Sequence, residues 1–187
     1  MLSYNNPIKE TKEYSGLKIQ ELKPIMKLNL RGKKREFLSA VGKSLNMLLP
    51  TESNTSTSSE NYTALWLSPD EWMLYSNNEM NENDNSYEVE NELINNVSKV
   101  NLGAITDVTD HFVLLKLSGD KIYELFSTGS PFNFNDFQNK NGAVTQTLLA
   151  KIDVIIHNID KKNVNLFVRR SFSEHLFSWI NDSASRL

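Results

Sequence analysis

The chain of 187 residues contains no cysteine. That absence excludes a disulfide framework, a thiolate zinc site, an iron–sulfur cluster and a cysteine nucleophile. It accords with a reducing compartment. Histidine is scarce as well. His111, His157 and His175 are the whole supply, no two stand at i,i+4 spacing, and no carboxylate completes a ligand pattern with them. No metal site is expected. No glycine-rich phosphate loop is present, because Gly32 and Gly119 stand without the second and third glycines of a dinucleotide fingerprint. No apolar run approaches the ~20 residues that span a bilayer. The first seven residues carry no apolar signal core. The expectation is a cytoplasmic protein that contacts no membrane. Lys and Arg number 20 against 23 Asp and Glu, for a net charge of −3. That balance argues against bulk electrostatic capture of nucleic acid, though not against a local basic patch.

The chain does carry a repeat. Leu28-Asn-Leu-Arg-Gly32-Lys-Lys34-Arg-Glu-Phe-Leu38-Ser-Ala-Val-Gly42 returns 87 residues later as Leu115-Lys-Leu-Ser-Gly119-Asp-Lys121-Ile-Tyr-Glu-Leu125-Phe-Ser-Thr-Gly129. Two strand leucines, a turn glycine, a lysine, a helix leucine and a terminal glycine coincide without a gap. Each copy alternates apolar and polar residues, as a half-buried strand does, and then turns into a helix. Ser171-Phe-Ser-Glu echoes Ser86-Tyr-Glu-Val at a spacing of 85, which extends the repeat to a whole unit.

The remaining patterns fill in the order of elements. Residues 1–15 read as a mobile arm. Leu17–Leu22, cut off by Pro24, reads as an edge strand. Met26, Leu28 and Leu30 face one way, with Lys27 and Asn29 on the other. Phe37, Leu38, Val41, Leu45 and Leu48 form a helical stripe over 33–48. Residues 51–60, rich in Ser and Thr, read as a disordered loop. Strands at 62–67 and 72–75 flank the turn Ser68-Pro69-Asp70-Glu71. A helix follows at 86–98, then strands at 104–108 and 112–117. A helix at 120–128 precedes an irregular stretch to 142. Strands at 144–149, 153–157 and 164–168 lead to a last helix from Ser171, where Ser171 and Glu174 have capping-box spacing. The expected fold is α+β. It consists of pseudo-duplicated strand-helix-strand-strand-helix units in one domain over 16–187, with halves of about 16–100 and 101–187, mainly antiparallel sheets and helices on one face.

Few side chains offer chemistry. Asp107, flanked by Ile105 and Val108, is either a partly buried carboxylate with a raised pKa or an acceptor for a neighbouring turn; the second is the commoner case. Asp70 and Glu71 sit in a solvated turn, and Asp153 in a strand. Arg169-Arg170 precede the last helix, where an anion would be favoured, but adjacent strand residues point to opposite faces. An ion pair is the plainer reading of the pair, and a carboxylate or phosphate contact the sharper one. Gly32 and Gly119 read as turn glycines that supply small size or positive φ. Trp66, Trp72 and Trp179 lie in apolar patterns and read as core; exposed beside its turn, Trp72 would anchor an interface.

Four strings resemble one family in order: Leu67-Ser-Pro-Asp-Glu-Trp72-Met-Leu; Ile105-Thr-Asp-Val-Thr-Asp-His-Phe-Val-Leu-Leu-Lys-Leu-Ser-Gly119; Gln146-Thr-Leu-Leu-Ala-Lys151; and Val168-Arg-Arg-Ser-Phe-Ser-Glu-His-Leu176 with Trp179. They resemble the gamma subunit of heterotetrameric sarcosine oxidase, well over residues 60–182 and loosely before. That family is similar in turn to the folate-binding domain of the glycine cleavage aminomethyltransferase, whose Gly-x-Asp-Ala turn is echoed by Gly119-Asp120-Lys121. The resemblance implies a non-catalytic structural chain docked on a large alpha subunit, beside beta and delta subunits. The complex oxidises sarcosine to glycine and passes the one-carbon unit to tetrahydrofolate. FAD, FMN, NAD, zinc and the folate would belong to the other subunits, with no cofactor on this chain. The aminomethyltransferase motif of adjacent glycines, an aspartate and a nearby asparagine has no counterpart here, which speaks against independent folate chemistry. The alternative is a stand-alone folate-binding or one-carbon transfer protein, with Arg169 and Arg170 on the glutamate tail. A docked subunit should expose an apolar patch, expected at the Ser68–Trp72 hairpin or near Arg170.

Overall fold

A computed structural model describes residues 5–8, 10–80 and 87–187. Residues 1–4 and 9 of the expected arm, and Ser86 of the second echo, lie outside that set. The chain forms two compact units. The first is Pro24–Thr109; the second joins the N-terminal segment ending at Lys23 to Asp110–Leu187.

In the first unit a five-stranded antiparallel sheet runs in the order β4 (Ser56–Ser58), β5 (Tyr62–Ser68), β6 (Glu71–Ser76), β3 (Lys27–Arg31), β7 (Ala104–Asp107). Helix α1 (Arg35–Leu45) follows β3, and α2 (Tyr87–Leu93) runs on into a π-helical turn at Ile94–Ser98. Phe37, Val41 and Leu45, one helical turn apart, bury the inner stripe of α1. They pack with Leu28, Leu30, Ala64, Trp72, Leu74, Leu93 and Val97 in one core. Leu65, Met73 and Tyr75 point the other way from these strands and are buried too.

In the second unit the six-stranded antiparallel order is β1 (Lys12–Tyr14), β2 (Leu17–Glu21), β8 (Phe112–Ser118), β11 (Asn163–Arg169), β10 (Ile152–Asp160), β9 (Val144–Leu149). Helices α3 (Ile122–Ser127) and α4 (Ser173–Ala184) complete it. Val113, Leu115 and Leu117 of β8 and Val164, Leu166 and Val168 of β11 meet Leu125, Phe126, Leu176 and Ile180 of the helices. An aromatic cluster of Tyr123, Phe126, Phe132, Phe134 and Phe137 fills the connection after α3, with ring centroids 5.0–6.3 Å apart. The irregular stretch to residue 142 is thus a packed one. Asn158 holds it, donating from Nδ2 to the carbonyls of Phe137 and Lys140, both at 2.8 Å.

The two sheet orders superimpose element for element: β4 on β9, β5 on β10, β6 on β11, β3 on β8, and β7 on β2. The last correspondence crosses the sequence repeats. In chain order β2 opens the first repeat, yet it pairs with β8; β7 opens the second, yet it pairs with β3. Each repeat gives its first strand to the other's sheet, so repeats and compact units do not coincide.

Local expectations differ from the structure at several points. Leu17–Leu22 is an inner strand, because β1 covers its outer side. Residues 51–60 are ordered by hydroxyls and amides: Thr57 donates to the Leu48 carbonyl at 2.6 Å, and Asn77 Nδ2 to that of Ser59 at 2.9 Å. No capping box forms at Ser171. A 3₁₀ turn at Arg170–Phe172 feeds α4, and the Ser173 hydroxyl returns to the Arg170 carbonyl at 2.8 Å. Lys27 faces away from Leu28 as expected, but into the protein, with 2% exposure. Its ammonium donates to the carbonyls of Ile25 and Thr109, both at 3.1 Å, as a buried cation requires.

Candidate functional site

The turn after the first strand of each repeat is built alike. The Gly32 amide donates to the Asp70 carbonyl at 3.1 Å, and the Gly119 amide to that of Lys162 at 2.8 Å, so each glycine is tied to its own hairpin turn. The reasons for glycine differ. A Cβ on Gly32 would overlap the Phe37 ring, so Gly32 supplies small size. Gly119 has φ +132° and its missing Cβ would overlap the Gly16 carbonyl. Gly16 and Gly103 form a further glycine pair at the same 87-residue offset, and Gly103 closes on Phe37 and the Arg31 carbonyl. The offset alone would have found them. At both turns protein atoms occupy the space that a Cβ would take.

Around the first turn the polar groups satisfy one another. Arg31 pairs with Glu71 at 3.2 Å and Lys33 with Asp70 at 3.5 Å. Asn29 Nδ2 donates to Glu71 at 2.7 Å. The Ser68 hydroxyl, then Lys33, holds the Asp70 carboxyl below its ordinary range. Trp72 is buried at 3% exposure. Its indole N–H donates to the Pro50 carbonyl at 2.8 Å, and its ring stacks 5.8 Å from Phe37. Its anchor reading required exposure; the structure places it in the core.

Asp107 is exposed, and its Oδ1 accepts from the Thr109 amide at 2.8 Å, the turn-acceptor arrangement. His111 packs edge-on to Phe112 at 4.6 Å, and His175 is exposed on α4. His157 is buried at 2% exposure, and burial pulls its pKa down to about 4. The Tyr123 hydroxyl and Asn158 Oδ1 are buried without a hydrogen-bond partner, and burial pushes the Tyr123 phenol up. Among the described residues no three His, Asp or Glu gather as a metal set.

The structure separates the two arginines. Arg170 bonds within its unit, to Asp110 at 3.1 Å and to the Asn5 carbonyl, while its amide donates to the His111 carbonyl at 2.9 Å. Arg169 ends β11 and borders a cleft of about 670 Å³ with Phe112, Pro131, Gln146, Leu148 and Asp153. The two guanidinium groups therefore have different neighbours. Sequence reasoning missed Phe112, Leu148 and Asp153 as neighbours of Arg169, because strand pairing brings them together from four segments.

A duplicated α+β chain whose two antiparallel sheets each carry helices on one face, and whose repeats trade their first strands, has the aminomethyltransferase type of fold. The crystal structure of glycine cleavage system aminomethyltransferase T from Bartonella henselae matches with a TM-score of 0.61 at 13% identity, over 88% of this chain and 45% of that one. Heterotetrameric sarcosine oxidase from Corynebacterium sp. U-96 matches with a TM-score of 0.80 at 21% identity, over 91% of this chain and 84% of that one. A family model described as sarcosine oxidase, gamma subunit family, matches residues 32–186, and the chain belongs to that family. A search of curated protein sequences found no significant match. No helix among the described residues is long and apolar enough to cross a membrane.

Proposed function

We propose that the chain acts as a non-catalytic building block of a cytoplasmic heterotetrameric sarcosine oxidase, with the large alpha subunit as its main contact and beta and delta subunits beside it. The complex oxidises sarcosine to glycine and passes the one-carbon unit to tetrahydrofolate. FAD, FMN, NAD, zinc and the folate are held by the other chains. The family match over residues 32–186 carries this reading. Local structure supports it: the turn equivalent to a folate-domain loop is filled by Gly16 and Gly119 backbone, and the turn carboxylates Asp70 and Glu71 are paired with cations. Co-expression with tagged partner subunits tests it. This chain is expected to co-purify in a fixed ratio, and the chain made alone to bind no flavin. A chain that stays outside the purified complex would sink the reading. Calorimetric binding of tetrahydrofolate to the isolated chain would favour the stand-alone folate protein instead, a reading that the likeness to aminomethyltransferase T keeps in view.

A further inference from the structure

The second unit carries a row of side chains that the functional reading leaves unused. Strand register sets Leu148 opposite Asp153 and Phe112 opposite Arg169. Val154 pairs with Val168, so one further step sets Asp153 across from Arg169. The row Leu148, Asp153, Arg169, Phe112 thus crosses four adjacent strands on one face of the sheet. The next row inward, Ile155, Phe167 and Leu114, is buried. The outer row is open: Asp153 and Arg169 are exposed and Leu148 is 41% exposed. Phe172, three residues beyond Arg169, is 47% exposed.

Unlike charges directly across two strands are close enough to pair. Here no ion pair or side-chain hydrogen bond engages either group among the described residues, although the first unit's Arg31 and Arg170 of the second are both paired. An unpaired cation and an unpaired anion, bracketed by a phenyl and an isobutyl group beside a cleft of about 670 Å³, combine two specific charges with an apolar contact at each end. The comparable groove of the first unit, along α1, is lined by Arg35, Glu36, Lys43 and small polar residues, with Ala40 as its one apolar group. It lacks a hydrophobic anchor point.

We propose that the Phe112–Arg169–Asp153–Leu148 row is the docking surface for a partner subunit. Its occupant is an extended segment that crosses the row, bringing a carboxylate to Arg169 and a basic group to Asp153 at the centre and apolar side chains against Phe112 and Leu148 at the two ends. Charge complementarity selects this occupant: a uniformly basic or acidic segment would leave one of the two charges opposed by its like. The inference rests on the subunit reading above and adds the surface.

The test uses the assembled complex, with the tag on a partner subunit and this chain carrying Arg169→Glu, Leu148→Glu or, as a control in the first unit, Leu48→Glu at an 81% exposed position. Melting curves check that each variant folds. Arg169→Glu and Leu148→Glu are expected to lower recovery of this chain by about tenfold or more, as central interface residues do. Leu48→Glu is expected to leave recovery unchanged. Recovery of the two row variants at the unsubstituted level would overturn the surface assignment while leaving the subunit reading intact. Loss confined to Leu48→Glu would move the interface to the first unit and overturn it equally. If the unsubstituted chain never joins the complex, both inferences fall. A homodimer split by the row substitutions would make the occupant a second copy and refute the partner-subunit segment.

Discussion

In the first unit the turn after β3 closes around an aromatic ring, whereas in the second the turn after β8 closes around a backbone carbonyl. Gly32 and Gly103 flank the Phe37 ring; Gly119 lies against the Gly16 carbonyl at φ +132°. The same glycine offset therefore serves two physical requirements. A ring 2.4 Å from the added Cβ must move by about an ångström, and as a side chain it can turn to do so. The Gly16 carbonyl belongs to the backbone of the turn between β1 and β2 and accepts the Lys121 amide, so it yields less. The comparison teaches that a repeated motif can keep its hydrogen bond, glycine amide to hairpin carbonyl, while the packing that demands glycine diverges.

The strongest way to break the comparison is to remove the ring. Phe37 is fully buried, and Phe37→Ala leaves a cavity walled by two glycines, which have no side chain to fill it, and by Trp72, whose indole is tied to the Pro50 carbonyl. The expected loss is about 3–5 kcal/mol in urea denaturation. Hydrogen exchange should show protection lost first in β3, α1 and β6. A uniform loss over β8 and β11 as well would mean that the ring does not localise the stability of the first unit.

The glycines sharpen the comparison. Gly119→Ala meets both a left-handed backbone and a backbone carbonyl 2.1 Å from its Cβ, and should cost at least about 3 kcal/mol. Gly32→Ala keeps an ordinary backbone and meets only the buried ring, 2.4 Å from its Cβ, and should cost less than Gly119→Ala, about 1–3 kcal/mol. Thermal melting of the two variants side by side decides it; equal losses, or a larger loss at Gly32, would reverse the assignment of rigid and yielding neighbours.

Acid should distinguish the units as well. His157 is buried in the second, and its pKa is lowered from 6.5 to about 4. A lowered folded pKa means that the unfolded chain takes up the proton first. The stability held by neutral His157 is complete above pH 6.5 and is lost as pH falls toward 4, up to about 3 kcal/mol. Stability against pH should therefore fall over this window. His157→Gln, neutral throughout, should flatten that part of the curve. An unchanged slope in the variant would remove His157 as the cause.

How far these features could be read from sequence depends on how local their causes are. The β3–α1 unit was legible because Leu28 and Leu30 alternate and Phe37, Val41 and Leu45 recur by turns. Trp72 was legible as core from its apolar strand, while the polar turn beside it left an interface role open; its partner, the Pro50 carbonyl, lies 22 residues away. Burial of Lys27 depends on the Thr109 carbonyl, 82 residues on, and no local pattern announces it. The strand exchange was hidden for the same reason, since β2 and β7 satisfy period-two patterning wherever they pair. At the candidate site both arginines were legible as a pair on opposite faces. The row that gives Arg169 its setting was not, because it assembles from β8, β9, β10 and β11.

The smallest expected effect compares two arginine ties. Arg31 meets Glu71 in the first unit with its side chain more than half exposed, 56%, and Arg170 meets Asp110 in the second with its side chain at 38%. Exposed ion pairs contribute little because water and salt screen them. Arg170 has a further role, since its second nitrogen donates to the Asn5 carbonyl and so tethers the segment that leads into β1 and β2. Arg31→Ala should therefore shift stability by no more than about 0.5 kcal/mol, and Arg170→Ala by about 0.5–1 kcal/mol. The qualitative difference should exceed the energetic one. Limited proteolysis ought to cleave the N-terminal segment faster in Arg170→Ala, and Arg31→Ala should leave that cleavage rate unchanged. Equal cleavage in the two variants would show that the Asn5 contact holds nothing, and that Arg170 is an ion pair of the same modest kind as Arg31.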